Sequence, residues 1–426
     1  MTEPNESPPT PASRVNDALG SGDEPPGGAA TPPVGRHAAI EPHDAPPSAG
    51  SAVDDAVGES DEPGPLSNEG RAPPGAQSTP ANPLIWRGMW HVPHHLGQRF
   101  WHTWVFRAVV LLFGVLLLAT AFIAAYVGGL HDPTPRDIPV AVVQGDQTAT
   151  EVVGLLDERT ELVDGRTYAT LADARTALDR REVFAVLASD RRALQLTTSS
   201  AAGAFTAEVV SGSVETVAQA AGIPVTTTDA HPLSNEDSRG LVAFYLVVGL
   251  TLGGYLSATV LGLSLGTAPR NLAHAVARLA AFAAFALVMG FAGALVVGPI
   301  LGIWTHHMLG LTLGGALMTF AGATITSALQ GWLGIVGTGL AITLLVVLSN
   351  PGSGGVFAWP FLPTFFRGMH VWVPGGLGVD LIRAVAYFQR AAAGWPVTGL
   401  LLWSVAGILG TLAATMALGH RSDDAL

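Results

Sequence analysis

The sequence predicts an α-helical integral membrane protein with six transmembrane helices, an α+β extracytoplasmic domain between helices 1 and 2, and a disordered N-terminal tail. Three observations predict it. Of 426 residues, 49% are hydrophobic and only 13% charged, with a mean hydropathy of +0.39; about a quarter of a soluble globular chain is charged. From Leu279 to Phe366, eighty-eight residues pass without a formal charge, several times the ~20 residues that cross a bilayer. A polar, punctuated stretch, residues 131–238, separates the first apolar run from all the others.

Residues 1–83 are rich in Pro, Gly, Ser, Ala and acid and show no apolar period. They cannot bury enough surface to offset their ordering entropy, and they read as a disordered cytoplasmic tail. The first eighty residues hold thirteen acids against three arginines, most of the formal net charge of -12. The rest is near neutral and offers no basic stripe for nucleic acid. The tail also lacks the charged start and apolar core of a signal peptide. Residues 84–107 mix Trp86, Trp90, Phe100, Trp101 and Trp104 with Arg87, Arg99 and Arg107, the pattern of an interfacial segment, divided at Pro93. Residues 108–130 carry no charge and form the first span.

Within 131–238, Ile138–Val143 reads as a strand, Thr148–Leu156 and Leu171–Arg181 as helices, and Val183–Ala188 and Ala193–Thr198 as strands. Phe205–Ala221 follows as a helix, with Val210, Val214 and Val217 recurring near the helical period. Pro224–Thr228 is a last short strand. Residues 240–266 form span two and 267–278 a cytoplasmic loop. The charge-free stretch divides at Trp304–His307, at Gln330-Gly331 and at Asn350–Gly352, into spans 279–303, 309–329 and 332–348. Residues 395–418 form span six. Small-residue pairs such as Gly249/Gly253, Gly298/Gly302 and Gly310/Gly314 allow close helix approach. Arg87, Arg99, Arg107, Arg270, Arg278 and Arg421 share one side of a six-span chain, which makes that side, and both termini, cytoplasmic. Arg367, Arg383 and Arg390 fall on the other side.

Cysteine and lysine are both absent. That excludes a disulfide scaffold, Cys-ligated zinc, thiol and Schiff-base catalysis, and a P-loop. The chain is therefore not its own P-loop ATPase, and no enzyme, cofactor or metal site is predicted. Gly262-Leu263-Ser264-Leu265-Gly266 has the spacing of a nucleophile elbow, which needs a strand before it; here it closes an apolar helix. His91, His94, His95 and His102, and the pair His306-His307, have no carboxylate or Cys beside them and read as surface histidines.

The segment 350–393 is the strongest local signal. Four prolines (Pro351, Pro360, Pro363, Pro374) make it too irregular for a span, and it is too apolar for a free loop. It reads as an outer interfacial or re-entrant segment, whose backbone needs protein or a cavity to satisfy it. Two readings stand: a functional gate, or an amphipathic segment packed on the rim. Asp380 and Arg383, at i,i+3, are placed to pair on a helix. The candidate gate residues are Asn350, Pro351, Ser353, Gly354, Gly355, Pro363, Arg367, Pro374, Asp380 and Arg383.

The chain resembles ABC-2-type membrane proteins, in the Pip-like (phage-infection-protein-like) branch. The resemblance rests on the layout of one span, an outer domain and five further spans. It rests also on Asp137-Ile138-Pro139-Val140-Ala141-Val142-Val143, on Arg181-Glu182-Val183-Phe184-Ala185, and on the run from Asn350-Pro351 to Tyr387-Phe388. It covers Ala108 to about Leu418. The resemblance implies a permease that works with a separate ATP-binding cassette subunit, forms a homo- or heterodimer in the lipid bilayer, and exports its substrate. It implies that the loop after span two, with Pro269, Arg270, Asn271 and Arg278, docks that subunit. Some members of the branch serve instead as phage receptors or secretion accessories, so a non-transporting envelope protein acting through its outer domain is the alternative. An ion-coupled transporter is disfavoured, because spans three to five hold no ionisable acid or base for coupling. That neutrality suits an amphiphilic substrate.

Overall fold

The computed structural model describes residues 94–191 and 193–418. The calls on the tail 1–83, on residues 84–93 and on Arg421 lie outside the described residues, as do the side chains of residues 94–104 and of Arg107. Helix α1 (His94–Leu130) runs unbroken from the expected interfacial segment through the first span. From Val109 to Val127 it turns large apolar side chains outward.

A five-stranded sheet follows, in the order β2-β1-β3-β4-β5. Strand β1 (Ile138–Val143) is an unbroken apolar run because it is buried centrally, parallel to both β2 (Val163–Tyr168) and β3 (Ala185–Asp190). β3 forms an antiparallel pair with β4 (Ala193–Thr198), and β4 runs parallel to β5 (Val225–Asp229). Helices α2 (Gln147–Thr160) and α4 (Ala204–Ala220) close one face over Val140, Leu187 and Leu196; α3 (Leu171–Asp179) closes the other over Ala141 and Val186. β2 is an element the sequence reading lacked: Val-Asp-Gly-Arg-Thr-Tyr has no apolar alternation, and its middle residues are exposed at the sheet edge. Its ladder to β1 defines it.

The remaining long apolar helices are α5 (Val242–Leu265), α6 (Leu272–Leu295, extended by a wide turn to Ile300), α7 (Met308–Leu333) and α11 (Gly394–Leu418). With the apolar stretch Ala108–Leu130 of α1, five helices are long and apolar enough to cross a membrane. α7 is the most buried of them and packs against α5, α6 and α11. Three glycines make those crossings close. A Cβ on Gly254 would stand 2.4 Å from the Thr319 carbonyl, one on Gly290 2.3 Å from the Thr312 carbonyl, and one on Gly407 2.5 Å from Thr324. Of the pairs read from sequence, Gly253 meets the Met289 side chain, while Gly249 has nothing within 4 Å.

Three boundaries differ from expectation. Gln330-Gly331 is not a break: both are buried inside α7, and the chain turns at Gly334, whose φ of +59° suits glycine. The following helix α8 (Ile335–Ile342), with its continuation to Leu348, is therefore a 14-residue apolar stretch, about 21 Å at 1.5 Å per residue. Buried Gln330 ties the turn together, donating to Thr338 Oγ1 at 2.9 Å. Third, α6 begins at Leu272, because Asn271 caps it by accepting the His274 N–H at 3.0 Å, so most of the expected 267–278 loop is helix.

Gly290→Val is expected to destabilise the bundle by about 1–3 kcal/mol through overpacking, read as a lower melting temperature in detergent. Gly249→Ala, in open space, should leave it unchanged.

Candidate functional site

The prolines of segment 350–393 divide it into short pieces. Pro351 and Pro360 open single turns, and Pro374 opens helix α10 (Pro374–Ala386), each where a missing N–H costs nothing. Helix α9 (Thr364–His370) lies between them. The segment is buried from two sides. Ala358, Phe361 and Phe388 join the core of the sheet domain, while Leu377, Leu381, Ile382 and Val385 join the bundle core with Val247, Leu311 and Met318. It forms a layer between the domain and the bundle, and protein groups donate to its Gly354, Gly355 and Pro360 carbonyls.

Asp380 is the centre of this layer. Its Oδ1 accepts from Arg181 Nη2 at 2.6 Å, and its Oδ2 lies 3.2 Å from His370 Nε2. Burial opposes ionisation of this carboxyl, but Arg181 and His370 outweigh burial and hold it well below the usual carboxylate range. The other ring nitrogen of buried His370 faces the Gly352 carbonyl at 3.1 Å. Arg181 follows the end of α3 with a φ of 60°, a position usually given to glycine. Its N–H and that of Glu182 close the helix end on the Leu178 and Ala177 carbonyls. An L-residue there carries roughly 1–2 kcal/mol of strain, which the contact with Asp380 offsets.

Asp380 does not pair with Arg383. The arginine points the other way and is buried, donating to the carbonyls of Gly354 at 3.0 Å, Gly355 at 3.1 Å and Gly240 at 3.3 Å. Burial, reinforced by Arg181, pushes its pKa down to about 10, so it keeps its charge at neutral pH. Beside it the Tyr387 hydroxyl donates to Asp237 Oδ2 at 3.1 Å, and burial raises its pKa to about 12. Asp237 Oδ1 in turn accepts the N–H groups of Leu241 and Val242, which start α5.

The other predicted residues lie in the same layer. Ser353 Oγ donates to the Asn350 carbonyl at 2.6 Å and accepts from the Gly355 N–H; Asn350 Nδ2 donates to the Tyr126 hydroxyl on α1 at 2.7 Å. Arg367 reaches Asp137 at 3.0 Å and stacks over Trp359, its Cζ 4.9 Å from the ring centre. Pro363 precedes α9 at the surface. The sequence reading missed Arg181, His370, Asp237 and Tyr387 as site members. Only Arg181 left a signal, an arginine at a helix end where glycine is common.

At the far end of the bundle the four predicted docking residues play unequal parts. Asn271 caps α6. Arg278 is buried in that helix, and its guanidinium donates to the carbonyls of Gly266 at 2.7 Å and Thr267 at 3.2 Å. It folds the linker back onto α6. Arg270 is exposed and, with buried Pro269, borders an open cavity of about 670 Å³ between the ends of α5 and α6. Among the described residues no three His, Asp or Glu come together in a group that would hold a metal. His306 and His307 lie just before α7, beside Arg390 and Gln389.

No protein-family model, no curated protein and no solved structure matches this chain. The five long apolar helices and the mixed sheet indicate a helical membrane protein with an α+β domain set between its first two long apolar helices.

Asp380→Asn leaves Arg181 without its charged partner and is expected to cost about 1–3 kcal/mol. Because the folded carboxyl titrates below its unfolded range, that contribution is full above pH about 4 and is lost as pH falls below it. Melting curves of both proteins against pH should converge only on acidification. Arg181→Gly relieves the backbone strain but removes the ion pair, so proteolysis should release the domain more readily while the domain itself stays folded.

Proposed function

We propose that this chain is the membrane-spanning, permease-like subunit of an ABC-2-type exporter, moving an amphiphilic or envelope-related substrate outward with a separate ATPase. In this reading it crosses the bilayer six times, with both termini cytoplasmic and the sheet domain outside. The sixth crossing uses the short stretch Ile335–Leu348. It starts where Thr338 meets Gln330, and it leads to Ser349 and Asn350, which bond Gly375 and Tyr126 on the domain side. A stretch that is short for a ~30 Å core is completed there by the buried turn after it.

The observation that carries the reading is where the charges lie. The stretch from Leu279 to Phe366 is neutral, so work done on the bundle has to enter at its ends. At the end away from the domain, Arg270 stands exposed beside a cavity while Arg278 fastens the same linker to α6. A push on that linker passes to α6 and, through the Gly290 contact, to the central helix α7. At the other end the domain is fastened to the bundle through Asp380 and Arg383. A dimer, paired in the bilayer, would give a substrate a path between copies.

The two arginines are expected to separate on mutation. Arg270→Glu should abolish co-purification of the ATP-binding subunit and export while membrane abundance stays normal. Arg278→Glu should lower abundance itself, because it buries an acid against two carbonyls. Co-purification and export that survive Arg270→Glu would overturn the docking role; a function lost only on deletion of the sheet domain would favour the receptor or secretion-accessory reading.

A further inference from the structure

Beside the Asp380 network a cavity of about 410 Å³ opens between the sheet domain and the first turn of α11. Its charged lining is Arg180, Arg181 and Arg367 with the carboxylate of Asp380; Arg367 is paired with Asp137, which leaves Arg180 as the uncompensated charge. That carboxylate is already engaged by Arg181 and His370. The Arg181 Nε is buried without a hydrogen-bond partner, and exposed Arg180 makes no ion pair among the described residues. Guanidinium donors left over in a half-enclosed cavity favour an anion with several oxygens.

The cavity does not end there. Val371 and Trp395 also line an apolar groove of about 260 Å³ that runs along α11 past Leu402 to Ala406. From Trp395 to Ala406 the helix rises about 17 Å. The indole N–H groups of Trp395 and Trp403 are spent on the Val371 and Trp372 carbonyls, at 2.9 and 2.8 Å, so the groove presents ring carbon. Tryptophans grouped in this way are a feature of the membrane–water boundary, and Trp372 and Trp395 pack edge to face at 5.2 Å. A cationic cavity therefore opens onto an apolar channel on an exposed side of a long apolar helix.

We propose that the cavity and the groove are one binding site for an anionic phospholipid of the leaflet on the domain's side. The phosphate sits against exposed Arg180, beside the Arg181 guanidinium, and an acyl chain lies along α11 between Trp395 and Ala406. A zwitterionic headgroup brings an ammonium beside the unpaired guanidinium of Arg180 and is disfavoured. The bound lipid touches the domain, α9 and α11 together, so it braces the junction. The site requires membrane insertion but not transport, and it stands apart from the permease reading.

The test uses the full chain purified in detergent and titrated with phosphatidylglycerol, with phosphatidylcholine of the same acyl chains, and with inorganic phosphate, followed by tryptophan fluorescence. Phosphatidylglycerol should bind at least about fivefold more tightly than phosphatidylcholine, the factor expected for one arginine near a lipid phosphate. Arg180→Glu should erase that preference without moving the melting temperature of the lipid-free protein. Ala406→Trp, away from every ion pair, should weaken both lipids by filling the groove. Equal affinity for the two lipids, a preference that survives Arg180→Glu, or lipid binding untouched by Ala406→Trp would each overturn the assignment. Displacement of the lipid by inorganic phosphate at similar concentration would overturn it in favour of a simple anion site.

Discussion

A buried guanidinium that touches no carboxylate needs other oxygen acceptors, and Arg383 finds them in the carbonyls of Gly240, Gly354 and Gly355. Three separate pieces of chain are fixed by that single side chain: the exit from the sheet domain into α5, the turn after α8, and α10 itself. Burying the charge is costly, and the carbonyl cage together with nearby Asp380 and Asp237 makes it tolerable. Asp237 then starts α5 and accepts from Tyr387, so the polar contacts form one connected network around the arginine. Through these bonds the Arg383 guanidinium links the exit from the domain, the junction layer and the bundle.

The bundle is held on a different principle. Apolar burial offers little selectivity between helices surrounded by hydrocarbon, so close approach and backbone contact decide the packing. Gly254, Gly290 and Gly407 let three helices reach the backbone of α7. Thr319 adds a hydrogen bond to the Leu250 carbonyl at 3.2 Å. The neutral helices are fastened at one end by an ionic layer and at the other by Arg278 to its own linker. The same ionic layer leaves Arg180 on a cavity that adjoins an apolar groove, which is why the proposed lipid site and the fastening of the domain meet at one place.

Much of this was legible residue by residue. Ile138–Val143 and Ala193–Thr198 occur as strands at the expected positions because their patterns are local. The apolar stretch Ala108–Leu130 matches its expected bounds for the same reason. The segment 350–393 stood out through its prolines and its apolarity. Less visible were β2, whose order comes only from its ladder to β1, and the end of α7. Gln330 looks like a polar break in the sequence, yet it is buried because Thr338 folds back to accept from it. Asp380 and Arg383 have the spacing of a pair. Their separation follows from partners far away in the chain, Arg181 for one and Gly240 for the other.

By itself the sequence determined that long apolar helices alternate with a punctuated α+β insertion, and that neither thiol nor lysine chemistry is available. Those are sums over neighbouring residues, and the solvent that each stretch prefers follows from them directly. Only the tertiary structure decided which arginine holds which oxygen, which glycines face a neighbouring backbone, and that the arginines and tryptophans gather on one cavity. Such outcomes depend on residues brought together from across the chain, as with Arg181 and Asp380. Their energy comes from contact geometry, which hydropathy and local spacing do not encode.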